Sequence, residues 1–546
     1  MSENIHSNLN SEQKKAVETI GGPLLILAGA GAGKTKTITH RILNLIKSGI
    51  APREILAITF TNKAAKEMRD RVMHLISTDK SLNIPISFNE KPFVSTFHAL
   101  GVHILKENSQ ILGLPRHFTI YDRSDSKRAI KEALLASNIN PKEFDPGAIL
   151  NAISREKGES VTVEQYISTK KDYFQSVVAQ VWEKYEAILN KEKALDFDDL
   201  LLKTAKLLKR NPEIRHKYNS IWKYIHIDEY QDTNKVQYEI ATLLAEENRN
   251  ICVVGDADQT IYTWRGANIE NILNFEKEYP EAQVVLLEQN YRSTQNILAA
   301  ANNVIKKNIL RKDKNLYTKN GEGEKIELNM ATSEHDEASM IAEKCRDLIK
   351  NKVNPKEIAV LYRTNFQSRV LEEAFLKKNV PYQVLGVKFF DRKEVKDVLS
   401  FLKASLNRDS SSDLVRIINV PPRGIGKTSI LKIIAGQEGE LNSGTKLKVS
   451  HFFAMLERIN RYAKENKPSE TIKYILKETG IQEMYKGGTE EDEEKLENIR
   501  ELVTVATQYD GLQNEVAIET FLENASLASD QDELKEEQDA VRLMTV

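Results

Sequence analysis

Lys34 and Thr35 come straight after five small residues, Gly29-Ala30-Gly31-Ala32-Gly33, and that order suits the capture of phosphate. Small residues let successive backbone N–H groups curl round an anion, and a helix opening at Lys34 adds partial positive charge. In such a loop the Lys34 ammonium reaches the outer phosphates and the Thr35 hydroxyl sits on Mg²⁺. Ala28 stands where the usual pattern has its first Gly. Two carboxylates, Asp228 and Glu229, end the apolar run Tyr224-Ile225-His226-Ile227. Asp228 is placed to hold Mg²⁺ through its water shell, and Glu229 to take a proton from an attacking water. Gln259, closing Gly255-Asp256-Ala257-Asp258-Gln259, is a candidate for hydrogen bonding the terminal phosphate or orienting the water. Tyr262, Trp264 and Arg265 follow at once. Their rings either stack on unpaired bases or pack in the core. Within Asn290-Tyr291-Arg292-Ser293, Arg292 is a candidate for neutralising the transferred phosphoryl group and Tyr291 for stacking on adenine. A surface Arg that starts a helix fits the same spacing.

Such residues need rigid supports. Short apolar runs predict strands at Leu24–Leu27, Ile55–Phe60, Phe93–Ser95, Tyr224–Ile227, Ile251–Val254 and Val284–Leu287, alternating with helical patterns. That alternation predicts an α/β doubly wound parallel sheet, with the acidic pair at its carboxyl edge, where ligands bind. The stretch from Leu112 to Lys193 is charged and helical in pattern, and reads as an inserted helical domain. A second alternating region covers Glu288 to Val384, with strands near Ile326–Met330 and Ile358–Tyr362. From Val387 to Gln538 the pattern is mostly helical again, and its acidic run from Thr489 to Glu494 reads as a solvated face. Val541 to Val546 is strand-like.

A chain of 546 residues with 40% hydrophobic and 29% charged residues suits several soluble domains. A net charge of -1 gives no hint of nucleic acid, so a binder of this kind must gather its basic residues in a groove. Cys252 and Cys345 are too few for a disulfide framework or a tetrahedral zinc site. The polar start, Met1 to Asn10, is not a signal peptide, and no apolar stretch approaches a membrane span, so the cytoplasm is the expected location.

Together these motifs resemble the UvrD/Rep/PcrA family of superfamily 1 DNA helicases, along essentially the whole chain. Leu9-Asn10-Ser11-Glu12-Gln13 resembles the family's glutamine motif, in which Gln13 would read adenine, and the phosphate loop matches the family form, Ala28 included. Ile58-Thr59-Phe60-Thr61-Asn62-Lys63-Ala64-Ala65 and Ser95-Thr96-Phe97-His98-Ala99 resemble motifs that contact single-stranded DNA, which implies that role for Phe60, Asn62, Phe97 and His98. Leu195-Asp196-Phe197-Asp198-Asp199-Leu200 is also characteristic, with Phe197 available to stack on a base. Val360-Leu361-Tyr362-Arg363-Thr364-Asn365, Phe389-Phe390-Asp391-Arg392-Lys393-Glu394 and Val420-Pro421-Pro422-Arg423-Gly424-Ile425-Gly426 follow in the family's order. They place Arg363 and Asn365 among the DNA contacts, and Gly424 and Gly426 against duplex backbone.

The resemblance implies two RecA-like P-loop parallel-sheet domains, 1A and 2A, each with a mainly helical insertion, 1B and 2B. The expected boundaries are 1–111 and 194–285 for 1A, 112–193 for 1B, 286–386 for the first part of 2A and 387–538 for 2B. Residues 539–546 begin the returning 2A segment. ATP and Mg²⁺ are the implied cofactors, and single-stranded DNA and its junctions with duplex the implied partners. Repair or replication proteins, no membrane, and a monomer or weak dimer complete the expectation, with 3′ to 5′ movement as a family property. Two departures stand out. Lys36 replaces the Arg of many relatives and is a poorer planar partner for adenine. Val541 to Val546 resembles the start of the fifth motif, so the expectation is an N-terminal fragment with an incomplete 2A and weak ATP turnover. A nucleotide-gated DNA-binding or repair-recruitment module, and a helicase-nuclease of the RecB or AddA type, are the alternatives.

Overall fold

The computed structural model describes residues 9–545 apart from 80–81, 83–89, 142, 170–171, 264–265, 310, 364–366, 386–389, 391, 487–489 and 528–538. Two compact units emerge, 1–324 with 397–527, and 325–396 with the C-terminal strand.

In the first unit, runs such as Leu24-Leu25-Ile26-Leu27-Ala28 are buried at every position, so both faces of the strands they form need cover. Parallel strands flanked by helices meet that need. In chain order the strands are β1 (Leu24–Ala28), β2 (Ile55–Thr59), β3 (Phe93–Thr96), β4 (Thr119–Ile120), β5 (Ala194–Leu195), β6 (Tyr224–Ile227), β7 (Ile251–Gly255) and β8 (Gln283–Leu287). Six of them form one parallel sheet in the order β3-β2-β6-β7-β1-β8. Helices Lys34–Lys47 and Asn62–Thr78 cover one face, packing Ile38, Ile42 and Met68 on Ile26, Ala57 and Val254. Helices Phe97–Glu107, Phe197–Arg210 and Lys235–Ala245 cover the other, packing Leu100, Leu201 and Ile240 on Leu25, Ile58 and Val253. All six strands expected here are present.

Between β3 and β6 the chain leaves the sheet through β4 and returns through β5, which pair with each other in parallel. Helices Arg123–Ala136, Pro146–Gly158, Val163–Thr169 and Tyr173–Lys191 fill that excursion around Ile130, Ile153, Trp182 and Tyr185. From residue 397 a second set of helices packs around Phe401, Phe452, Leu456, Ile472 and Phe521. Two short strands after β8 also belong to this unit, β9 (Gln289–Asn290) and β10 (Tyr317–Thr318).

The second unit has a three-stranded parallel sheet of β11 (Ala359–Tyr362), β12 (Tyr382–Leu385) and β13 (Val541–Thr545). β13 lies in the middle, with Leu543 opposite Val360 on one side and Val384 on the other. The helix Glu334–Lys350 packs Ala338, Ala342 and Cys345 into the same core. The strand expected at Ile326–Met330 is absent. Its period-two alternation is a strand's, but no described strand pairs with it, and Leu328 and Met330 are 91% and 93% exposed. Among the described residues, no helix is long and apolar enough to cross a membrane.

Candidate functional site

β1 delivers the phosphate loop. Ala28 is its last residue, wholly buried, and the Gly29 N–H donates to the Leu287 carbonyl on β8 at 3.2 Å. Gly31 and Gly33 take left-handed backbone angles, φ 67° and 80°, which a side chain resists. Space is short as well. A Cβ on Gly31 would lie 2.7 Å from both the Arg292 Cβ and the Asn290 Nδ2, and one on Gly33 would lie 2.8 Å from the Gln13 Nε2. Gly33 caps the helix Lys34–Lys47, so Lys34, Thr35 and Lys36 form its first turn at the positive end of its dipole. Burial lowers the pKa of Lys36.

Neighbouring strand tips bring carboxylates to the loop. The Lys34 Nζ meets the Glu229 Oε2 at 2.5 Å. Glu229 sits at φ 50° and ψ 45°, a left-handed conformation unusual for a side-chain-bearing residue and typical of functional strain. Asp228 is 8% exposed, and burial, followed by the nearby Glu229 charge, pushes its carboxyl up to about 6 against the pull of Lys34. A carboxylate held away from water suits a divalent cation, and Thr35 stands in the first turn of the helix that follows the loop. The Gln231 Nε2 donates to the same Glu229 oxygen at 2.9 Å, and the Gln231 Oε1 accepts from the Asp256 N–H at 2.9 Å. The Asp256 Oδ2 in turn accepts from the Gln259 Nε2 at 2.6 Å. Lys34, Glu229, Gln231, Asp256 and Gln259 thus form one hydrogen-bonded line across three strand tips.

Arg292 and Tyr291 reach the loop within this unit. The Asn290 Oδ1 accepts from the Arg292 and Ser293 N–H groups at 2.8 and 2.7 Å, while its Nδ2 donates to the Ala30 carbonyl. The Tyr291 N–H donates to the Gly31 carbonyl at 2.9 Å. Arg292 is therefore held over the loop by backbone bonds, with an exposed side chain. Asn290 positions Arg292 and Gln231 links Glu229 to Asp256, and the sequence singled out neither, because the partners of each are set only by the fold.

Two candidates look different once placed. Gln13 is 1% exposed, and its amide is engaged, accepting from the Asn10 N–H at 3.1 Å and donating to the Ala32 carbonyl at 3.0 Å. As placed it buttresses the phosphate loop, and reading adenine would require those bonds to be exchanged. Phe97 is 4% exposed and packs in the core beneath the sheet, so it presents no face to a base. Its apolar type at the start of a helix is equally compatible with core, and Leu100, one turn on, lies in the same core.

The other aromatic candidates remain near the strand tips. Phe60, just beyond β2, stacks on Tyr262 with ring centroids 5.0 Å apart and planes at 20°. Asn62 follows in the first turn of the helix Asn62–Thr78. His98 lies 5.4 Å from the Phe197 ring, and loss of water pushes its imidazole down to about 4. Trp264, Arg265 and Asn365 lie outside the described residues. Arg363 follows β11 in the second unit and is exposed. Gly424, at φ 65°, and Gly426 flank Ile425 before the helix Lys427–Ile434, and the Asn419 Oδ1 shapes that loop by accepting from the Arg423 and Ile425 N–H groups at 3.2 and 3.1 Å.

A parallel sheet with a glycine-rich phosphate loop on β1 and an Asp-Glu pair on a nearby strand tip defines a P-loop α/β protein. Residues 9–280 match the UvrD/REP helicase N-terminal domain, and residues 285–546 match the UvrD-like helicase C-terminal domain. The chain is 43% identical over 562 residues to the ATP-dependent DNA helicase PcrA of Staphylococcus epidermidis strain RP62A, covering 99% of this chain and 75% of the relative. Helicases of the same name from Staphylococcus aureus strains Mu50 and NCTC 8325 are 43% identical over 563 residues, with the same coverage. The chain belongs to the UvrD/REP helicase family.

Proposed function

We propose that this chain is an ATP-driven DNA helicase, moving 3′ to 5′ along single-stranded DNA and opening duplex in repair or replication. The observation that carries the catalytic reading is the continuous line from Lys34 to Gln259. Lys34 pairs with the Glu229 oxygen that a base would use. A bound triphosphate offers Lys34 a stronger partner, and the released Glu229 Oε2 can then accept a proton from water. Thr35 and Asp228 would hold Mg²⁺, which supplies charge neutralisation on the phosphates when bound. Arg292, whose backbone lies against the loop, is the candidate to meet negative charge on the transferred phosphoryl group. Phe60, Phe197 and Tyr262 offer ring faces to unpaired bases without regard to sequence, with Trp264 and Arg265 next in the chain.

Glu229→Gln tests the assignment, because it keeps the shape and removes the proton acceptor. Binding of a fluorescent ATP analogue should persist, and single-turnover hydrolysis should fall by about 10²- to 10⁴-fold. Unchanged hydrolysis would remove Glu229 as the base.

A further inference from the structure

Behind Gln259 lies a buried charge cluster that the catalytic steps above leave unused. Lys314, its side chain 7% exposed, pairs with Asp256 and, at 2.6 Å, with Asp258. Arg311, 9% exposed, reaches the same Asp258 oxygen at 3.1 Å. Asp256 is the residue whose Oδ2 holds the Gln259 amide and whose N–H holds Gln231. Lys314 therefore touches the carboxylate that holds the Gln259 amide, on the residue whose backbone N–H holds Gln231.

The segment carrying Lys314 is tied down at its other end. The Asn302 Nδ2 donates to the Leu316 carbonyl at 2.9 Å, and the Tyr317 N–H donates to the Glu288 carbonyl at 3.1 Å. The Leu316 side chain lies so close to the phosphate loop that a Cβ on Gly29 would be 2.1 Å from its Cδ2. One short strap thus touches the phosphate loop through Leu316 and the Gln259 support through Lys314.

We infer that Lys314 is a positioning residue for ATP hydrolysis, holding Asp256 so that the Gln259 amide keeps one orientation toward the terminal phosphate. The inference rests on the reading of Gln259 given above. With two carboxylates and two cations nearly out of water, the cluster is balanced. Without Lys314, the Asp256 Oδ1 keeps only the Asp258 N–H, at 3.0 Å, because Arg311 reaches Asp258 alone. A nearly buried Asp256 carboxylate without its cation then turns toward water. Gln259 then loses its fixed partner, and a misplacement of about 1 Å at a reacting group costs up to roughly 10²-fold in rate.

The test compares wild type, Lys314→Met, Lys314→Arg, Asp256→Asn and the double variant Lys314→Met/Asp256→Asn, each by single-turnover hydrolysis, ATP-analogue affinity and thermal midpoint. Lys314→Met should slow hydrolysis by about 10- to 100-fold and leave affinity within roughly twofold. Lys314→Arg should recover part of the rate. The double variant should be no slower than the slower single one, because both substitutions break the same link. A wild-type rate in Lys314→Met overturns the inference. So do losses that multiply in the double variant, or a rate loss that follows the thermal midpoint and that Arg does not relieve. If the wild-type chain binds ATP without hydrolysing it, the catalytic reading of the whole site falls, and this inference with it. If the wild type hydrolyses and Lys314→Met equals it, the inference alone falls.

Discussion

His98 and Glu229 show how far side-chain type alone carries. Glu229 was legible as a candidate base because an acidic pair at the tip of an apolar strand, after a phosphate loop, has few other uses. Its direct pairing with Lys34 was not legible, since 195 positions separate the two. His98 was placed by resemblance, and its surroundings add a consequence. Burial lowers its imidazole from 6.5 to about 4, so between those values the unfolded chain binds more protons than the folded one. Stability should therefore rise with pH across that window. Thermal midpoints of wild type and His98→Gln at about pH 5 and about pH 7.5 check this, and the gap between the two conditions should shrink in the variant. Equal gaps would show that another group sets the acid limb. Lys314 and Arg311 escaped notice for a plain reason. Arg311-Lys312-Asp313-Lys314 reads as a solvated charged run, and only the fold turns two of its cations inward.

At the level of elements, the strands around the phosphate loop were the most readable feature, because β1, β2 and β7 are buried on both faces and are almost wholly apolar. Ile326–Met330 instead alternates apolar and polar residues and pairs with no described strand, which shows that period alone does not make a strand. The junction between the first helical insertion and the sheet was hidden in another way. Lys157, in the helix Pro146–Gly158, is 1% exposed and meets Glu186, Asp196 and Asp199, each at 2.9 Å. Asp196 also caps the helix Phe197–Arg210 by accepting from the Asp199 N–H at 2.7 Å. That cluster fixes where Phe197 sits. Lys157→Met should lower stability by about 3–5 kcal/mol, because it strands buried carboxylates without their cation. Denaturant unfolding measures the loss, and a change under about 1 kcal/mol would mean that the cluster is solvated.

Taken as a whole, the molecule gathers the residues proposed for chemistry and for DNA contact at one edge of one sheet. β1, β6 and β7 carry Lys34, Glu229 and Gln259 at their carboxyl ends, and Phe60 and Tyr262 stand beyond the tips of β2 and β7. A change at the nucleotide can therefore reach the aromatic residues through a few backbone steps. The second unit was less legible, since β13 is separated from its neighbours β11 and β12 by the whole helical stretch and no local pattern links them. Strand displacement tests the proposed motor most directly. A duplex with a 3′ single-stranded tail is mixed with wild type or with Glu229→Gln, with and without ATP. Wild type should release the strand only with ATP, favour the 3′ tail over a 5′ tail, and lose release in the variant. Release without ATP, or release by Glu229→Gln at the wild-type rate, would contradict it.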